Sequence, residues 1–427
     1  IQRKIAFLLK FLIIRDDSII MFAVPTDKLR PGKILAEEVR DISGRLLLAK
    51  GNEIGDNHIR IFKIWGISEV TVEGRTQGSD KVDPELNPDI FEQVYDTVKT
   101  LFRHTDLEHP VVKKIFNLAV QFRCKHNGIE VDSAAGIDAH EINPADQCKN
   151  FIKRLDKKKI VLPEIPSVVF ELNEVIANPI SSADQIAQVV NKSPSLTALL
   201  LKIVNSSFYG FPSKIGKVSH AVTLIGTREI SGLALGISIL SIFKNIPKEM
   251  IDMYSFLKHS LACGVLSRIL AAQKNFAQTE QLFVSGLLHD LGRLILYIHF
   301  TKESRNILSC SWNNKKLMYE AEQDYLGCDH AQLGQHLMEQ WKLPLILENS
   351  VLYHHNPSEA QQPIPAAIVH LADIIVNSLG IGSSGEKYVP PLDAAAWENL
   401  DLPLSSFDTI VGQATHQLDS LESILQV

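Results

Sequence analysis

Histidines set beside carboxylates are the residues of this sequence best equipped for chemistry. Fifteen histidines are present, and the C-terminal half places several of them in apolar, helix-like segments. His259 lies in Lys258-His259-Ser260, and His289 and Asp290 are adjacent in Leu287-Leu288-His289-Asp290-Leu291-Gly292-Arg293. His330 opens a segment that carries Gly334 and His336, His354 and His355 are adjacent, and His370 precedes Asp373 by one helical turn. A lone histidine on a helix is usually a satisfied polar or surface group. The His289-Asp290 pair differs, because Phe283, Leu287, Leu288, Leu291, Leu294 and Ile295 mark its segment as deeply buried. A charged aspartate left without a partner there would cost several kcal/mol, so it must be paired, hydrogen-bonded or metal-bound. Neutral imidazoles with carboxylates suit Zn, Fe, Ni or Mn, and facing helices commonly build such sites. His370 and Asp373 share a helix face and could simply bond each other.

The elements that must carry these residues are helical. From residue 151 to 427 the apolar spacing is that of helices, and no alternating strand pattern occurs after residue 160. Ser182-Ala183-Asp184-Gln185 reads as a capping box, and Ser193-Pro194 as a cap followed by proline in the first turn. Further helices are expected at His220–Leu224, Arg228–Phe243, Tyr254–Gln273, Glu280–His299, His330–Trp341, Leu345–His354 and Ile364–Leu379. Residues 21–75 read differently: short apolar clusters alternate with turn signals such as Arg30-Pro31-Gly32 and Lys50-Gly51-Asn52, around a helical stretch from Asp56 to Trp65. Between these regions, residues 76–150 read as a helical connector and linker, with helices at Asp89–Phe102 and His109–His126. Residues 1–20 read as a tail or start-site artefact, since Ile5–Ile14 is too short to span a bilayer and lacks a signal-peptide cleavage pattern. The expected class is mainly α, an all-α domain preceded by a small α+β module.

Composition narrows the function classes. The chain has 427 residues, 45% of them hydrophobic and 22% charged, enough for a packed core in two or three domains. Its 43 Lys+Arg against 49 Asp+Glu leave a net charge of −6, which gives no general pull toward nucleic acid or anionic lipid. Lys157-Lys158-Lys159 lacks interleaved aromatic residues and reads as a solvated linker face rather than a nucleic-acid patch. Ser206 and Ser207 sit in no nucleophile elbow and read as a helix stop. The five cysteines are scattered with no C-x-x-C pair, which points to free thiols and a cytoplasmic setting.

At the histidines the sequence resembles a family. The order His259, His289-Asp290, Asp373 is similar to the H…HD…D pattern of the HD superfamily, which binds divalent metal. Residues 161–300 resemble more closely an HDOD domain, the HD-related output domain of bacterial signalling proteins. The resemblance rests on Leu162-Pro163-Glu164-Ile165-Pro166, Asn191-Lys192-Ser193-Pro194-Ser195-Leu196, Asn205-Ser206-Ser207-Phe208-Tyr209-Gly210, His220-Ala221-Val222, Leu224-Ile225-Gly226 and Gly286-Leu287-Leu288-His289-Asp290. It continues through Gly327-Cys328-Asp329-His330-Ala331, Trp341-Lys342-Leu343-Pro344 and His354-His355. Residues 21–73 resemble the small domain that precedes some HDOD and HD-GYP modules, through Leu29-Arg30-Pro31-Gly32, the run Gly44 to Gly51 and Trp65-Gly66-Ile67.

The resemblance implies a signal-transduction or regulatory protein whose HDOD domain engages a signalling protein partner. It also implies a second reading. His259, His289, Asp290, His330, His354, His355 and Asp373 match by order the residues that hold metal in HD-GYP phosphodiesterases, which makes Fe, Mn or Zn the expected ion. An active site of that kind would be a metal-dependent phosphohydrolase with a nucleotide or cyclic dinucleotide as ligand, Asp290 and Arg293 being its catalytic candidates. Two departures weigh against turnover: Asn356-Pro357-Ser358 follows His354-His355 where Gly-Tyr-Pro would fall, and Arg293 replaces the enzymes' lysine. A third reading is nucleotide sensing without turnover. Neither membrane nor nucleic acid is an expected partner; a homodimer is, with the N-terminal module as sensor, docking or dimer element.

Overall fold

The computed structural model describes residues 20–74 (27, 28, 41–44, 66 and 68 apart), 88–126, 167–243 (179 and 207 apart) and 250–425. Lys157-Lys158-Lys159, Ser207, the polar stretch 128–147 and all but the last residue of the expected tail lie outside the described residues. The chain divides into two units, Ile1–Leu86 and Asn87–Val427.

The first unit holds strands β1 (Ile20–Pro25), β2 (Ile34–Leu35), β3 (Val39–Arg40), β4 (Leu46–Leu48) and β5 (Glu69–Gly74), with helix α1 (Asp56–Ile64) before β5. A three-stranded antiparallel sheet runs in the order β1-β5-β2, with Phe22 opposite Val72 and Leu35 also paired to Val72, while β3 and β4 pair separately. Alternation along β5 turns Val70 and Val72 inward, where Leu35, Ile54 and Phe62 complete a small core. The α1 start is closed by its own chain: the Gly55 amide donates to His58 Nδ1 at 3.1 Å.

Among its described residues the second unit has helices and connecting segments and no strand. It comprises α2 (Pro88–Leu101), α3 (Pro110–Lys125), α4 (Ser167–Ala177), α5 (Ala183–Asn191), α6 (Pro194–Val204), α7 (Val218–Ile225) and α8 (Thr227–Leu240). There follow α9 (Met253–Gln273), α10 (Thr279–Leu288), α11 (Leu291–His299), α12 (Thr301–Asn314), α13 (Met318–Leu326), α14 (His330–Gln340), α15 (Leu345–Leu352), α16 (Pro363–Leu379), α17 (Ala394–Leu400) and α18 (Phe407–Leu425). Both expected caps form. Gln185 N donates to Ser182 Oγ at 3.2 Å while Ser182 N donates to Gln185 Oε1 at 2.8 Å, and Leu196 N donates to Ser193 Oγ at 3.3 Å.

Helices α9, from His259 to Ala271, and α16, from Pro365 to Val376, are among those buried nearly all round. A helix apolar on every face belongs in the middle of a domain, and α9 packs on α10, α16 and α18. Helix α3 packs on α16 and secures its end: buried Arg123 donates from Nε to Ser378 O at 2.9 Å and from Nη2 to Asn377 O at 3.2 Å. A guanidinium on free terminal carbonyls both satisfies them and complements the helix dipole.

The continuous helix expected over Glu280–His299 is broken. It ends at Leu288 and restarts at Leu291, with His289 and Asp290 in the break. The His289 ring accounts for this locally: its Nδ1 donates to Gly286 O at 2.8 Å, and the Arg293 amide donates to Asp290 O at 2.9 Å as a new first turn begins. The elbow frees both side chains to face the interior. Apolar spacing on both sides of the elbow is helical, so periodicity does not reveal it.

Candidate metal centre

All seven residues expected at a metal site meet in one buried cluster. Five places in the fold deliver them: α9 carries His259, the α10–α11 elbow His289 and Asp290, the first position of α14 His330, α16 Asp373, and the end of α15 is followed by His354 and His355. Two glycines permit the approach. A Cβ at Gly286 would stand 2.5 Å from Cys263 O, and one at Gly292 would stand 2.0 Å from His330 O, so the α9–α10 and α11–α14 crossings depend on them. The Asp329–Gln332 capping box fixes the start of α14, with Gln332 N donating to Asp329 Oδ1 at 2.9 Å, and thereby sets His330.

Around Asp373 and Asp290 the ring nitrogens converge. His259 Nε2 is 3.3 Å from Asp373 Oδ1 and 3.4 Å from His289 Nε2, which itself lies 3.2 Å from Asp290 Oδ2. His330 Nε2 is 3.0 Å from Asp290 Oδ1, 3.3 Å from His354 Nε2 and 3.0 Å from His355 Nε2. The outer nitrogens hold the rings in place. His289 Nδ1 faces Gly286 O, His354 Nδ1 faces Val351 O at 2.6 Å, and His330 Nδ1 faces Glu322 Oε2 at 2.6 Å. A carbonyl or carboxylate oxygen can only accept, so each of these Nδ1 atoms carries a hydrogen and the neutral ring turns its Nε2 lone pair inward.

Converging lone pairs and carboxylates demand positive charge. Without an ion the demand falls on protons: burial pushes the His289 imidazole down, but Asp290 and Asp373 outweigh it and hold it well up. Burial and Arg293 oppose a charged His330 in the same way, and Glu322 and Asp290 again prevail. Burial would raise Asp290 and Asp373, yet Arg293 and His289 hold the first, and His259 and His289 the second, well below the usual carboxylate range. Burial and the neighbouring rings push His354 and His355 down, keeping them neutral. This donor set, with each inner nitrogen oriented by an outer hydrogen bond, fits a divalent cation.

Several neighbours of the cluster lie outside the expected set. Glu322, fully buried on α13, accepts from both the amide and the ring of His330. Cys263 Sγ lies 3.6 Å from His259 Nε2, and its position four residues after His259 on one helix was the available signal. Asn377 donates to Asp373 Oδ1 at 2.8 Å. His370 does not bond Asp373 as its spacing allowed. Its Nδ1 donates to His354 O at 2.7 Å and its Nε2 accepts from the Asp393 amide at 3.0 Å, so it braces the backbone behind the cluster. Ser206 takes the helix-stop role: its hydroxyl donates to Ile203 O at 2.6 Å.

Arg293 sits behind Asp290, 2% exposed. Its Nη1 donates to Asp290 Oδ2 at 3.3 Å and to Ser384 Oγ at 2.6 Å, with Glu322 Oε1 3.5 Å from Nε and Glu386 Oε2 3.8 Å from Nη2. Ser384 and Glu386 belong to the segment between α16 and α17, which is tied down by Tyr297 Oη donating to Ser384 O at 2.7 Å and by the Met318 amide donating to Glu386 Oε2 at 2.8 Å. Burial raises the Glu386 carboxyl to about 7, Arg293 notwithstanding.

Comparison with known proteins agrees with this architecture. The HDOD domain family matches residues 162–357. An uncharacterised protein of Treponema pallidum is 23% identical over 202 residues, which is 47% of this chain and 39% of that protein, so the chain spans about two fifths of the length of this curated relative. Among solved structures, an HDOD domain protein of unknown function from Geobacter sulfurreducens is 22% identical with a TM-score of 0.53, over 65% of this chain and 95% of its own. A candidate signal transduction protein from Marinobacter aquaeolei is 20% identical with a TM-score of 0.51, over 69% of each chain. A candidate phosphohydrolase from Shewanella amazonensis is 19% identical with a TM-score of 0.50, over 67% of this chain and all of its own. No helix among the described residues is long and apolar enough to cross a membrane. Identities this low carry the fold alone; with the family match, they make residues 162–357 of this chain an HDOD domain.

Proposed function

We propose that this chain is a signal-transduction or regulatory protein of bacterial type, in which the HDOD domain acts by engaging a protein partner. Its His/Asp cluster holds a divalent ion as an internal brace between α9, α10, α14 and α16. One observation carries this reading over hydrolysis. Arg293, the candidate for neutralising a phosphoryl group, is buried and already surrounded by Asp290, Glu322, Glu386 and Ser384. A guanidinium compensated on this scale has no free charge to offer an incoming phosphodiester.

The second reading is a metal-dependent phosphohydrolase, favoured by the convergence of all seven metal-ligand candidates and by His355, which is only half-buried and stacks on Tyr319. His259, His289, Asp290, His330, His354, His355 and Asp373 would hold the metal, which when bound supplies Lewis acidity and an activated water. Residues of this chain would then have to admit the substrate past His355 and release Arg293 from its partners.

Elemental analysis of protein purified without a metal-affinity step, followed by a cyclic-dinucleotide hydrolysis assay, separates the two. The regulatory reading expects retained iron, manganese or zinc with no turnover. Turnover that disappears in Asp290→Ala would replace it with the hydrolase. Pull-downs with wild type and a surface-charge series test the partner, and the absence of any specific partner would count against a role in protein engagement.

A further inference from the structure

Cys263 is absent from the ligand pattern by which the HD resemblance is drawn, yet it lies in the cluster. It sits one turn after His259 on α9 and is fully buried. Its Sγ lies 3.6 Å from His259 Nε2 and 4.0 Å from Asp373 Oδ1. The donor atoms of His259, Cys263, His289 and Asp373 all fall within 4.8 Å of one another. A buried cysteine that served only packing would be expected among apolar side chains; this sulfur has a ring nitrogen and a carboxylate oxygen beside it instead. Its place is held by the crossing at Gly286, whose missing side chain lets α10 rest on the Cys263 carbonyl. His289, fully buried, turns its Nε2 into the same space.

We propose that Cys263 is a thiolate ligand to the ion held by His259, His289 and Asp373, making this half of the centre a mixed sulfur, nitrogen and oxygen site. On binding, the S–H bond breaks, the sulfur–metal bond forms and the proton is released to solvent. The other half, Asp290 with His330, His354 and His355, offers nitrogen and oxygen alone. A thiolate biases the first half toward zinc or ferrous iron over manganese. The inference rests on the cluster holding a metal.

Cobalt(II) added to the metal-free full-length protein tests both claims separately. Visible ligand-field bands report cobalt bound by any of the donors, whereas a near-ultraviolet sulfur-to-cobalt charge-transfer band requires thiolate. The expected result is both bands in wild type, with loss of the charge-transfer band and retention of the ligand-field bands in Cys263→Ser. Ligand-field bands without charge transfer in wild type would overturn the role of Cys263 and leave the metal reading standing. A charge-transfer band that survives in Cys263→Ser would assign it to another cysteine and also overturn the proposal. Failure to bind cobalt at all would overturn both. The wild-type spectrum decides even where the variant fails to fold.

Discussion

Asp290 stands between two kinds of partner, and its Oδ2 meets both, 3.2 Å from His289 Nε2 and 3.3 Å from Arg293 Nη1. Toward His330 and His289 it meets rings whose inner nitrogens converge without a fixed positive charge. Toward Arg293 it meets a permanent cation that Glu322, Glu386 and Ser384 also engage. The first kind calls for a cation from outside. The second supplies one and has no spare charge. Burial is nearly equal for both, so burial alone does not mark a reactive site; the distinction lies in whether the charges already balance.

Removing the shared residue should have the largest effect. Asp290→Ala strips Arg293 of a partner and the rings of a carboxylate, and should cost about 5 kcal/mol of stability, read by urea unfolding, together with loss of bound metal. Arg293→Met leaves every ring and both aspartates of the cluster in place. It should cost about 3 kcal/mol, because Glu322 and Glu386 lose their counter-charge, while metal content stays at the wild-type level; a loss of metal as large as in Asp290→Ala would erase the contrast between the two kinds of partner.

A smaller change is Ser384→Ala, which removes a charge-assisted hydrogen bond to Arg293 and should cost about 2 kcal/mol in the same assay. An effect of similar size concerns pH. The Glu386 carboxyl has its folded pKa raised to about 7 from an ordinary 4.5. In that window the folded protein keeps a proton that the unfolded chain has released, so this contribution is full below the lower value and is lost as pH rises through the upper one. Glu386→Gln should flatten the decline by on the order of 2–3 kcal/mol, measured as the difference in unfolding free energy between pH 5 and pH 8.

Local features of the fold were readable because their causes are local. The Ser182 and Ser193 caps depend on residues within one turn, and the α1 helix follows from apolar spacing inside a few residues. The elbow at His289-Asp290 was not readable, since the apolar spacing is helical on both sides of it and the close approach of Gly292 to His330 comes from a distant element. His370 shows the same limit from the other direction. Its spacing to Asp373 was correct for a helix face, but its partners are the backbones of His354 and Asp393, brought in by other elements.

Residue type and apolar surroundings marked the His289-Asp290 pair as buried and in need of a partner, and the family resemblance, by motif order, added His259, His330, His354, His355 and Asp373. Apolar spacing was enough, too, for a helical domain preceded by a small α+β module. Which partner each side chain meets depended on the packing of α9, the elbow, α14 and α16. Glu322 on His330, Ser384 and Glu386 on Arg293, and Cys263 beside His259 and Asp373 are contacts across long stretches of chain or between helix faces. Charge balance is a sum over neighbours in space, so only the folded arrangement could separate the partners of Asp290 that await a cation from the partner that already supplies one.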